Sequence, residues 1–453
     1  MQSTSRAGVF SGRVVVLFST QIVGALVGIL NGILLARLLG PAGKGDYYLL
    51  ILLPSTAMVL VQFGLPQAVS FYTARGRTAG IMSRTFVLTV ALSVGALLAV
   101  ALLLPFLQDA ILHGISLDQF LVPLVALPIA VSATFTTAII MGRRAVRWYS
   151  GINIAYPIGT GLLLVALGVL GPSVMGALVV YLIAITMRAI ALAIGARRVS
   201  ADNAGAESVS YRELVRYGLR VYPASLTGFF IYRVDAYLIA FLLVAPAVQL
   251  GYYSMAVGLA EMVFFFPNAV SNLFFPHVAG STREESDRQV AMVSRVTLLV
   301  TGAFALALIP AAAVMIWVVL PDFGPALPAL IVLLPGVVAL SLAKVVGAFV
   351  VGIGRPEIDS YVSVGALIVN IIANLILIPR LGIVGAAAAS LISYSLTSLL
   401  LTLAAARFTT TSVADFWVPR ASDVRFVVAT SLGLVRRLRE SRAASRDDGR
   451  VRT

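Results

Sequence analysis

The chain has 453 residues, 60% of them hydrophobic and only 11% charged, with a net charge of +14 and a mean hydropathy of +0.99. A water-soluble domain carries roughly 25% charged residues, so a chain this apolar could not keep its surface in water. The absence of cysteine and the presence of only His113 and His277 exclude disulfides, thiolate chemistry and a histidine metal cluster.

Unbroken apolar runs of about 20 residues recur, each long enough to cross a hydrocarbon core of about 30 Å. They do not alternate, so they read as helices and not as barrel strands. In chain order the expected spans are 13–37, 47–72, 84–107, 119–141, 149–170, 173–196, 213–243, 250–278, 294–320, 325–352, 358–379 and 382–406. The first is expected to be retained and not cleaved, because its apolar run starts at Val14 and continues past Leu35. Turn signals separate the spans: Gly40-Pro41, Gly171-Pro172, Pro321-Asp322 with Gly324-Pro325, and Gly354-Arg355-Pro356. Placing the N-terminus in the cytoplasm puts 26 of the 33 Lys and Arg residues there, and only Arg37, Lys44 and Arg380 near the outer face. Cationic loops stay inside, so both termini are expected in the cytoplasm.

Short motifs repeat in the same order along the two halves. Pro66-Gln67-Ala68-Val69-Ser70 returns as Pro267-Asn268-Ala269-Val270-Ser271, and Tyr47-Tyr48 returns as Tyr252-Tyr253. Ser83-Arg84 matches Ser294-Arg295, and Gly142-Arg143 followed by Tyr149 matches Gly354-Arg355 followed by Tyr361. Collinear pairs of this kind indicate a duplication. The expected fold is therefore an all-α polytopic membrane protein of about twelve transmembrane helices, built as two parallel six-helix repeats around a central cavity. Residues 1–199 form the first lobe, 200–212 a cytoplasmic linker, 213–406 the second lobe and 407–453 a basic tail. In that tail, Val424, Val427, Val428, Leu432, Val435 and Leu438 make one helical stripe. An amphipathic helix near 423–440, lying on anionic lipid, is expected.

Ionisable side chains within spans are costly in lipid and mark candidate sites. Span 7 carries Arg220, Arg233 and Asp235, and span 8 carries Glu261. Arg233 and Glu261 each lie about ten residues from the outer ends of consecutive spans, about 15 Å deep at the helical rise. That shared depth makes them partners. Arg233 and Asp235, two residues apart, face different sides. Arg188 and Lys344 lie within reach of the cytoplasmic headgroups and are expected to anchor there, and Arg220 is expected to meet lipid phosphate. Asp235 is expected to anchor the outer gate or to cap nearby backbone.

The run Leu34-Leu35-Ala36-Arg37-Leu38-Leu39-Gly40-Pro41-Ala42-Gly43-Lys44-Gly45-Asp46-Tyr47 resembles the signature that ends the first span of polysaccharide biosynthesis proteins. These are the oligosaccharide-flippase branch of the multidrug/oligosaccharidyl-lipid/polysaccharide (MOP) exporter superfamily. Phe63-Gly64-Leu65-Pro66, Arg233-Val234-Asp235, Gly251-Tyr252-Tyr253-Ser254-Met255-Ala256 and Val418-Pro419-Arg420 resemble further landmarks. The resemblance implies two lobes around a cavity lined by spans 1, 2, 7 and 8. It also implies translocation of a polyprenyl-(pyro)phosphate-linked oligosaccharide to the outer leaflet of a bacterial cytoplasmic membrane by alternating access. On that basis Arg233 and Glu261 are the leading cavity residues, Asp235 is a further cavity candidate, and Asn31, Gln62, Gln67, Asn268 and Asn272 are amides for sugar hydroxyls. Arg37 joins Arg188, Arg220 and Lys344 as a lipid or gate candidate. Pro54, Pro66, Pro223 and Pro267 are places for those helices to bend.

No cofactor is expected, and the coupling ion is left open. The expected partners are the lipid-linked sugar, anionic lipids and neighbouring polymerases or glycosyltransferases, with no role for nucleic acid. A cation-coupled small-molecule exporter of the same superfamily, a lipid II flippase, an enzyme such as a polymerase and a non-transporting scaffold are the competing readings. The enzyme is disfavoured because the longest outer connection is only about a dozen residues, too short to carry catalytic groups.

Overall fold

The computed structural model describes residues 2–110, 115–143, 145–200, 207–280, 283–409, 411–425, 427 and 429. The described residues are almost entirely helical. The helices are α1 Gln2–Gln62, α2 Leu65–Ala74, α3 Ile81–Ala110, α4 Leu117–Gly142, α5 Val146–Leu170 and α6 Val174–Ser200. They continue as α7 Tyr211–Phe230, α8 Val234–Leu242, α9 Pro246–Ala260, α10 Phe265–Gly280, α11 Arg283–Val319, α12 Ala326–Gly352, α13 Pro356–Leu381, α14 Ile383–Ala406 and the short α15 Ala414–Trp417. Among them, 10 are long and apolar enough to cross a membrane, or 11 if α7 and α8 form one bent span. The difference from the expected twelve lies at the start. The first candidate runs for 43 residues, Thr20–Gln62, about 65 Å at the helical rise and twice a hydrocarbon core. It is broken at Gly40, whose φ of 67° and ψ of −178° leave the helix just before Pro41. A positive φ is open to glycine at little cost, which accounts for the Gly-Pro step in the signature.

Three spans expected to be continuous are interrupted. Span 2 breaks at Phe63 and Gly64, both at positive φ. Span 7 breaks between Phe230 and Val234 with a 48° bend. Span 8 tightens into a 3-10 turn at Glu261–Phe264 before α10 resumes. Pro66 and Pro267 each stand in the first turn of the helix that restarts, where the missing N–H costs nothing. The two copies of the Pro-x-Ala-Val-Ser motif thus occupy the same local position. Pro223 and Pro54, by contrast, lie inside α7 and α1 without ending them. Beside Pro54 the Ser55 and Thr56 hydroxyls donate to the carbonyls of Ile51 and Leu52.

The chain packs as two compact units. The first comprises Met1–Met262, Ala311–Leu333 and Ser363–Ser390. In its core Leu35 of α1 meets Leu164 and Leu167 of α5 and Ala177 and Val180 of α6. Amides tie its helices together: the Asn31 side chain donates to the Pro157 carbonyl at 2.7 Å, and the Gln62 side chain to the Thr134 hydroxyl at 2.9 Å. The glycines Gly45 and Gly251 set the crossing of α1 and α9. A Cβ on Gly45 would collide with the Ala247 carbonyl oxygen, and one on Gly251 with that of Pro41. Contact this close between backbones is how small residues hold transmembrane helices together.

The second unit comprises Val263–Pro310, Leu334–Val362 and Leu391–Thr453. Ser398 of α14 donates to the Ala339 carbonyl of α12, and Gly336 sits against the Leu391 backbone. The helix expected near 423–440 falls largely outside the described residues. The segment before it is docked. Arg295 of α11 grips Asp423 with Nε at 2.6 Å and Nη2 at 3.2 Å, while its Nη1 donates to the Asp415 carbonyl at 2.8 Å. Both side chains of this pair are buried, at 7% and 3% exposed.

The Arg295 fork holds the Asp423 carboxyl below the usual carboxylate range. A carboxyl with a depressed value in the folded state stabilises the fold above its unfolded value of about 4 and loses that contribution as pH falls through the lower one. Docking of residues 411–425 is therefore expected to be unchanged from about pH 8 to about pH 5 and to weaken below about pH 4. Hydrogen exchange of that segment checks this. Protection that persists undiminished well below about pH 4, or release already near neutrality, would show that the clip does not hold the tail.

Candidate functional site

The polar centre of the first unit is built on two helix breaks. Arg233 occupies the turn between α7 and α8, and Glu261 ends α9. Breaks at membrane depth leave backbone polar groups unpaired and are tolerated where they line a protein or water-filled space. Arg233 Nη1 stands 3.2 Å from Glu261 Oε1, and the two side chains are 29% and 38% exposed. A pair this open contributes about 1 kcal/mol or less as glue. Its geometry suits exchange better than fixation.

The opposing wall is one stripe of α1. The Tyr48 hydroxyl accepts from Arg233 Nη1 at 3.4 Å, and the Tyr237 hydroxyl of α8 bonds the Thr56 hydroxyl and donates to the Leu52 carbonyl at 3.3 Å. Residues 48, 52 and 56 recur at helical spacing, so one face of α1 meets the broken span. Glu261 and Tyr48 both engage Nη1. The Nε and Nη2 donors of Arg233 have no protein acceptor among the described residues. Guanidinium has five N–H donors in a planar fork, so an oxyanion could occupy the free side.

Asp235 faces away from that opening and is 3% exposed. Its carboxylate accepts from the Ala236 backbone N–H at 2.9 Å, from the Tyr253 hydroxyl and from the Ser390 hydroxyl at 3.3 Å. It caps the first turn of α8 and ties that turn to α9 and α14. Arg233 and Asp235 do not pair, as their spacing requires.

The remaining candidates are dispersed. Asn31 and Gln62 are engaged in helix packing, whereas exposed Gln67 donates to the Ser225 hydroxyl at 3.2 Å. Asn268 and Asn272 are exposed. Arg37 donates to the Val319 carbonyl at 2.9 Å. Arg220 is exposed. The Arg188 guanidinium lies 4.9 Å from the centre of the Tyr156 ring, and the Lys344 ammonium 4.7 Å from that of Phe264. Both are held by aromatic faces, an arrangement that steadies a cation where water is scarce. Lys44, expected near the outer face, is buried. Its ammonium meets the Met255 sulfur at 3.1 Å and lies 5.4 Å from the Phe323 ring centre.

Tyr48, Thr56, Tyr237, Tyr253 and Ser390 escaped the sequence reading as site residues. For two of them a signal was present. Tyr48 and Tyr253 are the second members of the matched tyrosine pairs, and each touches one ionisable residue of the broken span.

Comparisons with known proteins fall on this architecture. The family profile described as polysaccharide biosynthesis protein matches residues 12–281. The probable low-salt glycan biosynthesis flippase Agl15 of Haloferax volcanii is 25% identical over 393 residues, covering 85% of this chain and 81% of that one. Among solved structures, the lipid II flippase MurJ in an inward closed conformation superposes with a TM-score of 0.69 at 13% identity, over 88% of this chain and 89% of its own. An inward-facing multidrug resistance MATE family transporter of the MOP superfamily gives 0.68 at 15% identity, over 88% and 99%. The fold is that of MOP exporters.

Proposed function

Because the chain belongs to the polysaccharide biosynthesis protein family, a family of multi-pass membrane transporters and not enzymes, we propose that it is a flippase for a polyprenyl-(pyro)phosphate-linked oligosaccharide. It would carry that cargo from the cytoplasmic to the outer leaflet for cell-surface polysaccharide assembly. The supporting observation is the Arg233–Glu261 pair, half-open at two helix breaks, with guanidinium donors left free. A diphosphate is a dianion with several acceptor oxygens, and a fork of free N–H groups matches it better than a point charge does. Glu261 neutralises Arg233 when no cargo is bound and yields when the phosphate arrives.

In this reading the halves 1–199 and 213–406 act as lobes that open alternately. Both termini lie in the cytoplasm, and the membrane is the bacterial cytoplasmic one. Tyr48 from the first half of the sequence meets Arg233 from the second within the first compact unit, which supports this reading. The similarity to Agl15 supports a glycan cargo. The downstream partners in this reading are polymerases or glycosyltransferases, with anionic lipid around the basic tail.

Purified protein in liposomes should move a fluorescent polyprenyl-diphosphate oligosaccharide between leaflets. The measurement is its accessibility to an impermeant glycosidase or quencher. Exchange of cationic drugs without any movement of the sugar lipid would replace this reading with that of a small-molecule exporter.

A further inference from the structure

A cleft of about 560 Å³ lies between α3, α4 and α6, remote in the chain from Arg233. Its volume is in the ordinary range of ligand pockets. On α3, Phe86, Val90 and Ser93 recur at helical spacing along it, and Ala189 and Ala193 of α6 line it as well. Phe86 is 70% exposed although all three helices are candidate spans, so the cleft opens sideways to lipid. A hydrocarbon chain is the occupant that such a setting favours.

Two features narrow that chain to one class. Arg197 stands one turn beyond Ala193 on the same face of α6. It is exposed and has no acidic partner among the described residues. At the helical rise it lies about 6 Å nearer the end of α6, which is the cytoplasmic end in the orientation proposed above. A chain seated in the cleft would thus place an anionic headgroup on a cation. The second feature is Ser93, which is 4% exposed and whose hydroxyl has no hydrogen-bond partner among the described residues. The neighbouring Thr89 and Thr186 hydroxyls are satisfied by their own helices, donating to Thr85 and Leu182 at 2.8 and 2.7 Å. An isoprenoid chain carries a double bond in every unit, and its π electrons accept a weak hydrogen bond. A saturated acyl chain offers no acceptor there.

We propose that this cleft seats the isoprenoid tail of the polyprenyl carrier in the cytoplasmic leaflet, with its phosphate on Arg197, as a loading site for the cargo. The inference rests on the flippase reading. It adds where the lipid waits while the sugar enters the polar centre.

The test uses the full chain in phosphatidylcholine nanodiscs with a diazirine-bearing polyprenyl phosphate, and maps the cross-link by mass spectrometry. Label is expected in peptides from α3 and α6 and should be displaced by unlabelled polyprenyl phosphate but not by excess phosphatidylglycerol. Filling the cleft with Ala193→Trp should lower labelling about tenfold, a loss of about 1.4 kcal/mol. Ser93→Ala should cut the preference for isoprenoid over phosphatidylglycerol by about threefold. Val90→Trp on the rim serves if Ala193→Trp does not fold. Equal displacement by phosphatidylglycerol, or labelling unchanged by the fillers, would overturn the proposal. So would full-rate flipping by a filled protein that no longer takes label. Specific labelling of a protein that moves no sugar lipid would instead sink the flippase reading and leave the cleft standing.

Discussion

Arg233→Ala is expected to reduce flipping about a hundredfold while the protein still assembles. In the proposed loaded state the guanidinium pairs with the cargo diphosphate through charge-assisted hydrogen bonds, and losing one member of such a pair costs about 3 kcal/mol, about a hundredfold in rate or affinity. Two further variants separate the cargo role from a role as glue. Glu261→Gln removes the resting partner but leaves the fork, so it should keep most of the flipping. Arg233→Lys keeps the charge without the planar fork and should fall between wild type and Arg233→Ala. If the pair were a fixed brace, Arg233→Ala and Glu261→Gln would instead lower the melting temperature alike and lose flipping together. Rates in liposomes and thermal unfolding of the same preparations decide.

The second large effect is expected at the crossing of α1 and α9. Each glycine there faces a backbone carbonyl, which cannot swing aside as a side chain can. Gly251→Ala or Gly45→Ala must therefore push the helices apart. Overpacking in a well-packed interior costs about 1–3 kcal/mol, and contact with backbone falls at the upper end or beyond. The expected result is a lowered melting temperature and loss of flipping in both variants. Gly28→Ala is the control: it lies in the same helix with nothing near its missing Cβ and should leave both properties unchanged. Tolerance of Ala at Gly45 and Gly251 would mean that the crossing is looser in the membrane than in this structure.

The helices were readable because lipid demands long unbroken apolar runs, and chains seldom form them otherwise. The breaks were not readable. Hydropathy runs on through Ile231-Tyr232 and through Met262-Val263-Phe264, so nothing in a sliding average marks where the backbone turns. Periodicity is also silent in a helix that is apolar on every side. The contact between Arg233 and Glu261 followed from equal depth on consecutive spans, which needs only the rise per residue. The partners of Asp235 did not, because Ser390 is 155 residues away and hydroxyls are unremarkable in a transmembrane run. The Arg295–Asp423 clip likewise joins residues 128 apart. The apolar stripe from Val424 to Leu438 reads as a lipid-facing helix, while the described part of the tail is held by one buried acid.

The ion pair at the helix breaks has a further consequence, an electrical one. While Arg233 and Glu261 are together their charges cancel, so a rearrangement that carries the pair between faces moves none of its charge through the membrane field. If, as proposed, a dianionic diphosphate takes the arginine and frees the glutamate, the same rearrangement would transport net negative charge outward. In a cell that is negative inside, each unit so moved across the whole field releases about 2.3 kcal/mol per 100 mV. The membrane potential would then favour the loaded stroke and leave the empty return of this pair untouched, rectifying transport without a dedicated coupling ion.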